Sequence, residues 1–211
     1  MNFVPRQHGA NTPGVSQIDA ASEFGALKEP GCAAVVWQRH IPEDVDRWLC
    51  ALNPDRLPAG RVILHPSAVA EVVDELCDLA QTPTGPARDW LQADIADLAA
   101  TFTELTEAPY LRLRLDVVTT NMCRKFHIDA ITARLVCTYR GTGTQYGIAR
   151  DGEDPDEVLT VPTGAPFLMR GTRWPVTPAI GLKHRSPPIE GTGETRLMLV
   201  LDPVTEPYDE I

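Results

Sequence analysis

The chain has 211 residues, of which 43% are hydrophobic and 23% charged, and its formal net charge is −10. This length suits one well-buried domain and is slightly short for two. Nucleic-acid binding needs a concentrated Lys/Arg face, and the sequence has no such cluster, so the charge argues against a nucleic-acid partner. No apolar run approaches the roughly eighteen residues that cross a bilayer, so we expect no membrane span.

The N-terminus and the cysteines favour a cytoplasmic protein. The opening residues MNFVPRQHGANTPGVSQ lack the charged start and apolar stretch of a secretory signal. The five cysteines are widely separated and never form a C-x-x-C pair, which fits neither a disulfide framework nor a zinc ribbon. We therefore expect reduced thiols and a cytoplasmic location.

The first third of the chain gives weak signals. Residues 1–30 mix Gly, Pro, Ser and Asn with isolated apolar positions, which predicts an irregular arm. The run AAVVWQR from Ala33 predicts a strand. PEDVDRWLCAL, with Pro42 and acidic residues at its start, predicts a short helix. RVILH, at residues 61–65, predicts a second brief strand that ends before Pro66.

Two longer segments have the spacing of amphipathic helices. In residues 67–81 the stripe is Val69, Val72, Val73, Leu76 and Leu79, and residues 86–108 repeat the pattern. Each stripe places one face of a helix toward a core. We therefore interpret residues 31–108 as mainly helical support.

The period changes to two at Tyr110, where leucines alternate with Arg112, Arg114 and Asp116. Further strands are predicted at residues 125–128, 132–139, 158–161, 167–170, 180–184 and 195–201. Gly- and Pro-rich turns separate them. The sequence thus predicts an α+β fold with a single domain at 31–211. Its helical N-terminal half packs on the outside of a β-barrel or sandwich core at 109–205.

Three residues form a candidate metal site. Alternation on a strand at 125–128 would send His127 and Asp129 to one face, and His184 ends another predicted strand. Two histidines and one carboxylate on one side of a metal are associated with non-haem Fe(II) oxygenases. The alternative is that both histidines are hydrogen-bonded core or surface residues.

A series of motifs in the same order resembles a known superfamily. The series comprises FHID, RLVCTY ending at Tyr139, the turn RGTGTQY, the strand FLMRG and HRSPPIEGTGETRL. It resembles the Fe(II)- and 2-oxoglutarate-dependent dioxygenases. More narrowly, CRKFHID, TYRGTGTQY and KHRSPP resemble a bacterial family catalogued as domain of unknown function 1826.

The broader resemblance implies a double-stranded β-helix, that is, a cupin-like jelly-roll barrel. It implies Fe(II) held by His127, Asp129 and His184, with 2-oxoglutarate as co-substrate and a small molecule as substrate. Arg196, twelve residues after His184, would bind the co-substrate carboxylate, and Tyr139 would add a hydroxyl. Alternatively, Arg196 forms a surface ion pair with Glu194, and Tyr139 is a core aromatic.

Two other functions compete with an oxygenase. In the first alternative, His127, Asp129 and His184 hold Zn(II) in a non-catalytic protein of metal homeostasis. The flanking Cys123 and Cys137 also permit a zinc site with thiolate ligands. A binding module that has lost its reaction is the second.

Arg134 and Tyr139 would lie on opposite faces of one predicted strand, so their side chains cannot both point into the same cavity. Trp174 either covers the metal pocket or anchors a turn, and Arg112 and Arg114 either attract an anionic substrate or form a solvated face.

Overall fold

The computed structural model describes residues 6–7, 12–149, 152–175 and 181–207. Within these residues the strands are β1 (Arg6–Gln7), β2 (Val15–Ile18), β3 (Ala34–Trp37), β4 (Gly60–Leu64), β5 (Tyr110–Val118), β6 (Ala133–Arg140), β7 (Gln145–Ile148), β8 (Leu159–Thr160), β9 (Pro166–Arg170), β10 (Leu182–Arg185) and β11 (Arg196–Val204). The α-helices are α1 (Glu43–Ala51), α2 (Val69–Leu79) and α3 (Pro86–Thr106). Short 3-10 helices span Ala21–Lys28, Pro54–Arg56 and Pro66–Ala68.

The strands form two sheets. A seven-stranded sheet has the order β2-β3-β9-β6-β11-β5-β4, and a four-stranded sheet has the order β1-β8-β7-β10. Strand β11 lies between β5 and β6 and is antiparallel to both. Because side chains alternate across a sheet, Arg196, Met198, Val200 and Asp202 of β11 share one face.

The large sheet is buried on both faces. Apolar residues of one face pack against α1, α2 and α3 in one hydrophobic cluster. The other face packs against the small sheet in a second cluster, which includes Val136, Phe167 and Val200 of the large sheet with Tyr146 and Leu182 of the small one. The molecule therefore has three layers: helices, large sheet, small sheet.

Local signals explain the helix boundaries. Helix α1 follows Pro42 and has Glu43, Asp44 and Asp46 in its first turn, where acidic side chains interact favourably with the helix dipole. Helix α3 has Pro86 at its first position and ends at Glu107, whose φ is 55°. In α2 the buried residues are Val69, Val73 and Cys77, and Val72 and Leu76 of the predicted stripe pack against the same cluster. Leu79 is 81% exposed, so its assignment to the core-facing stripe is wrong.

The structure confirms a mixed fold of helices and sheets in which the helices pack on the outer face of the large sheet. The prediction of an irregular arm at 1–30 is wrong for its described residues 12–30. Strand β2 pairs in parallel with β3, and the 3-10 helix Ala21–Lys28 buries Phe24 and Leu27. Three N-terminal strands, β2, β3 and β4, complete the large sheet, so this half is more than helical support.

Two strand predictions also need correction. Residues 125–128 are an irregular segment, in which His127 alone makes a β-bridge. Strand β7 lies partly where a turn was predicted. The glycines at 141, 143 and 147 are typical of turns and obscure the pattern of this four-residue strand. Residue Ile180 of the predicted strand 180–184 lies outside the described residues. None of the helices in the described ranges is long and apolar enough to span a membrane.

Candidate metal centre

His127 and His184 are paired through their backbones. The amide of His127 donates to the carbonyl of His184 at 3.1 Å, and the reverse hydrogen bond is 3.0 Å. Residues that exchange both hydrogen bonds lie directly opposite each other, with their side chains on the same face. The two imidazole centroids are accordingly 4.5 Å apart. One bridge thus brings together two histidines that are 57 positions apart in sequence.

Asp129 is held in place by the segment that follows β9. Its carbonyl accepts a hydrogen bond from the amide of Thr172 at 2.9 Å, and the amide of Arg173 donates to Ile131 at 3.0 Å. A β-carbon at position 171 would lie 2.0 Å from the carbonyl oxygen of Ile131 and 2.7 Å from that of Asp129. Gly171 therefore permits the close approach that positions the Asp129 carboxylate.

The three side chains converge. Asp129 Oδ1 is 3.5 Å from His127 Nε2, and Asp129 Oδ2 is 3.2 Å from His184 Nε2. Their potential ligand atoms all lie within 4.8 Å of one another. Nδ1 of His127 is 2.9 Å from the carbonyl oxygen of Lys125. If Nδ1 carries the proton and donates it there, Nε2 keeps its lone pair for a metal.

The environment favours the ionised form of Asp129. Burial raises the pKa of its carboxyl, but His127, His184 and the charge of Arg134 outweigh burial and bring the pKa well below its usual range. The Asp129 carboxylate raises the pKa of His127. Burial lowers the pKa of His184, which is 7% exposed, and so favours its neutral, ligand-competent form.

Arg134 connects Asp129 to a second carboxylate. Its Nη1 lies 2.7 Å from Asp129 Oδ2. Its Nε and Nη2 donate to the two oxygens of Asp202 at 2.6 and 2.9 Å. Asp202, which we did not predict from sequence, is 2% exposed. The signal that could have found it is its position on the same face of β11 as Arg196.

One oxygen of Asp129 fits a metal ligand. Oδ2 forms an ion pair with Arg134 Nη1 at 2.7 Å and lies 3.2 Å from His184 Nε2, but neither contact has hydrogen-bond geometry. Buried carboxylate oxygens normally accept a hydrogen bond. A cation shared with the two imidazoles would take the place of that hydrogen bond, and this donor set suits Fe(II) or Zn(II).

A cavity adjoins the histidines between the two sheets. The cavity has a volume of about 80 Å³. Its lining residues are Arg114, Met122, Cys123, His127, Arg134, Val136, Thr144, His184, Arg185, Ser186, Met198 and Val200. The cavity therefore combines the two candidate histidine ligands with arginines and an apolar wall.

Arg196 lies on the same sheet face, beside Met198 of the cavity wall, although its own side chain is not part of the lining. It is 1% exposed. Its guanidinium donates to the carbonyl of Thr142 at 2.6 Å and to Thr138 Oγ1 at 3.5 Å. Burial lowers its pKa to about 10. No carboxylate of the described chain segments forms an ion pair with it, since Glu194 accepts instead from Thr142.

Comparison with protein families identifies the chain. A family model described as "Protein of unknown function (DUF1826)" matches residues 19–202. The chain belongs to this family. The motifs CRKFHID, TYRGTGTQY and KHRSPP, on which the sequence resemblance was based, lie within the matched residues. A comparison with functionally curated proteins found no match.

Solved structures extend the comparison to the fold. The dioxygenase for auxin oxidation of rice superposes with a TM-score of 0.51 at 14% identity, covering 92% of this chain and 84% of that one. The Arabidopsis thaliana dioxygenase for auxin oxidation 1, in a binary complex with 2-oxoglutarate, gives 0.51 at 12% identity, covering 93% and 95%. At such identities the likeness shows a common fold and nothing about activity.

Tyr139 does not belong to the site of this family member. It lies on the opposite face of β6 from Arg134, is fully buried among the helices, and its hydroxyl donates to Asp94 Oδ2 at 2.6 Å. Asp94 also binds Arg39 through both of its oxygens. The expectation that Tyr139 binds a co-substrate together with Arg196 is therefore wrong. Its hydroxyl instead ties the large sheet to α3.

Three other residues near the candidate ligands in sequence also lie outside the ligand cluster. Cys137 faces the helices on β6, and burial raises the pKa of its thiol to about 12. Cys123 lines the cavity. Neither belongs to the ligand cluster found in the described part of the chain, so a zinc site with thiolate ligands is not supported. Trp174 packs against the helix-side cluster and under Arg170, which agrees with a turn anchor rather than a pocket cover.

Proposed function

We propose that this protein is a mononuclear non-haem Fe(II), 2-oxoglutarate-dependent oxidoreductase of the dioxygenase type, acting on a small molecule. Its two sheets would form the double-stranded β-helix of that superfamily. The observation that carries the proposal is the convergence of His127, Asp129 and His184, whose potential ligand atoms all lie within 4.8 Å of one another. Two neutral nitrogens and one carboxylate leave positions open for other ligands.

Arg196 supports 2-oxoglutarate as the co-substrate. A buried guanidinium with neutral acceptors alone is costly, and an anion offsets that cost. The distal carboxylate of 2-oxoglutarate would accept paired hydrogen bonds from it. Thr138, on the neighbouring strand, would help to orient the same group.

When bound, Fe(II) and 2-oxoglutarate would supply the oxidising chemistry with dioxygen. The residues of this chain would position and shield the reactants. The His127–His184 bridge fixes both imidazoles, and Arg134 keeps the Asp129 carboxylate ionised and oriented. The apolar wall formed by Val136, Met198 and Val200 would limit access of water to the site.

The test is binding of metal and co-substrate followed by turnover. We expect anaerobic protein to bind one Fe(II), then 2-oxoglutarate, and to release succinate when oxygen is admitted. His127→Ala and Asp129→Ala should lose the metal. Arg196→Ala should retain the metal but bind 2-oxoglutarate on the order of a hundredfold more weakly, because a bidentate pair of charge-assisted hydrogen bonds is lost.

Two further variants make this test specific. Arg196→Lys keeps the positive charge but loses the paired guanidinium donors, so its affinity for 2-oxoglutarate should lie between those of Arg196→Ala and wild type. Arg173→Ala changes an exposed arginine and should behave as wild type. Equal 2-oxoglutarate affinity in wild type and Arg196→Ala, or no binding in either, would reject the co-substrate role. Tight Zn(II) binding in that case would favour the non-catalytic metal protein.

A further inference from the structure

The cavity beside the candidate ligands has more positive charge than its own carboxylates neutralise. Arg114, Arg134 and Arg185 all line it. Arg134 is neutralised by Asp129 and Asp202, through contacts of 2.6 to 2.9 Å. Among the described residues, neither of the other two has a carboxylate oxygen this close. This is unexpected in a protein whose net charge is −10.

Arg114 of β5 is half-buried. Its Nε is buried without a hydrogen-bond partner, and its Nη1 is 4.0 Å from Asp116 Oδ2, the limit of an ion pair. Val200 of β11, directly opposite Arg114 in the sheet, also lines the cavity. Burial and the nearby charge of Arg134 lower the pKa of Arg114, as expected for a cation that lacks a close anion.

Arg185 of β10 approaches from the small sheet. Its Nε donates to the side-chain oxygen of Gln145 at 2.9 Å, and its guanidinium lies 4.4 Å from the centroid of the Phe126 ring. These neutral contacts fix the direction of the side chain while leaving its charge unpaired by any carboxylate of the described ranges. Arg185 follows His184 on β10 and lines the same cavity, although strand alternation starts its side chain on the opposite face from the imidazole.

We propose that the substrate is a small anion, carrying a carboxylate, phosphate, phosphonate or sulfate group, that is bound by Arg114 and Arg185. This inference rests on the proposed function, because it takes the cavity as the substrate site. An anionic group accepts charge-assisted hydrogen bonds from guanidinium forks. The Met122, Val136, Met198 and Val200 side chains would contact a short apolar body.

The two anions of the reaction thus have separate sites. Arg196, with Thr138, would hold the carboxylate of the co-substrate, and Arg114 with Arg185 would hold the anionic group of the substrate. The two arginine sets differ in strand and in sheet position, because Arg114 is on β5 and Arg185 on β10, whereas Arg196 begins β11. Substitutions can therefore separate them.

Inorganic sulfate is a suitable probe, because it has the required negative charge and no apolar part that would bind elsewhere in the cavity. We would titrate sulfate by calorimetry into metal-loaded protein saturated with 2-oxoglutarate under anaerobic conditions, and separately into metal-free protein. Sulfate should bind wild type, and Arg114→Gln and Arg185→Gln should each bind it at least tenfold more weakly. Arg47→Gln, at an exposed position of α1, should match wild type.

The outcomes distinguish the two proposals. Sulfate binding that is absent from wild type, or unchanged in Arg114→Gln and Arg185→Gln, overturns the anion site even if 2-oxoglutarate binds. Loss of 2-oxoglutarate affinity in Arg114→Gln, with sulfate affinity retained, also overturns it and reassigns Arg114 to the co-substrate. Arginine-dependent sulfate binding by protein that fails to bind 2-oxoglutarate even in the presence of Fe(II) supports the anion site and rejects the proposed function.

Discussion

Arg134 lies between two buried carboxylates, and its charge is shared by both. Asp202 takes two of its hydrogen bonds, and Asp129 contacts the third nitrogen at 2.7 Å. Without Asp202 the guanidinium would be free to rotate toward Asp129 or into the cavity. Asp202 thus fixes the group that orients a candidate metal ligand, a role that outer-sphere residues commonly have in metal sites.

Replacing Asp202 with alanine should therefore destabilise the protein and loosen the site. Breaking a buried ion pair costs about 3 to 5 kcal/mol, because the remaining charge stays buried without its partner. We expect a decrease of at least about 3 kcal/mol in the free energy of unfolding, measured by urea denaturation. Asp156→Ala removes an exposed acid and should change it by less than about 0.5 kcal/mol. Similar curves for both variants would show that the pair contributes little.

At this scale the sequence placed the three candidate ligands together for a partly wrong reason. His127 and Asp129 were assigned to one face of a strand, but residues 125–128 are irregular and the bridge to His184 aligns the histidines instead. The H-x-D spacing contains no information about that bridge, which depends on a residue 57 positions away. Asp202 and Arg185 were missed because their roles arise from cross-strand neighbours.

The segment after β9 is the element that positions Asp129. Gly171 lies against the carbonyls of Ile131 and Asp129, so any side chain there must displace the ligand-bearing segment. Overpacking of this kind costs about 1 to 3 kcal/mol. Gly171→Ala should lower the free energy of unfolding by that amount and weaken Fe(II) or Zn(II) binding about tenfold or more.

Gly25→Ala is the matched control for this element. Gly25 lies in the 3-10 helix Ala21–Lys28, and a β-carbon there would meet no atom within 4 Å. Its stability and metal affinity should remain those of wild type. Normal metal binding by Gly171→Ala would mean that Asp129 is positioned by contacts other than those of residue 171.

Strand β6 separates two kinds of chemistry on its two faces. Arg134 faces the small sheet, whereas Tyr139 faces the helices and donates to Asp94. Tyr139→Phe should therefore leave 2-oxoglutarate affinity unchanged. It should lower the free energy of unfolding by about 1.5 to 3 kcal/mol, because a hydrogen bond to a charged acceptor is lost. Tyr110→Phe on β5, at a half-buried position, is the control, and a co-substrate defect in Tyr139→Phe alone would reverse our correction.

Elements with a strong period were predicted well, and short ones were not. Strand β5 was found from its alternation and α3 from its three-to-four spacing, to within two residues at each end. Strand β2 has four residues and β7 is surrounded by glycines, so neither repeats a pattern long enough to detect. Both are specified by pairing with β3 and β10, and pairing partners distant in sequence cannot be read from local composition.

At the scale of the whole molecule, the net charge is negative, but the cavity is lined by arginines. The acidic surface would repel anions at a distance, whereas Arg114 and Arg185 line the cavity and, among the described residues, form no ion pair shorter than 4.0 Å. An anionic ligand would then gain most of its binding free energy at short range. The three-layer arrangement makes this possible, because the large sheet has an apolar helix-facing side and concentrates polar groups near one region of its other side.

The layering can be tested through the thiols. Cys32, Cys77 and Cys137 are buried, whereas Cys50 on α1 and Cys123 beside the cavity are exposed. Because the thiolate is the reactive form, burial that raises the pKa of Cys137 to about 12 should make it inert at pH 8. We expect iodoacetamide to modify Cys50 and Cys123 in native protein and all five cysteines in urea, as measured by mass spectrometry of peptides. Cys123→Ser should remove one native modification. Rapid native labelling of Cys77 or Cys137 would contradict the packing of the helices against the large sheet, on which the position of every candidate ligand depends.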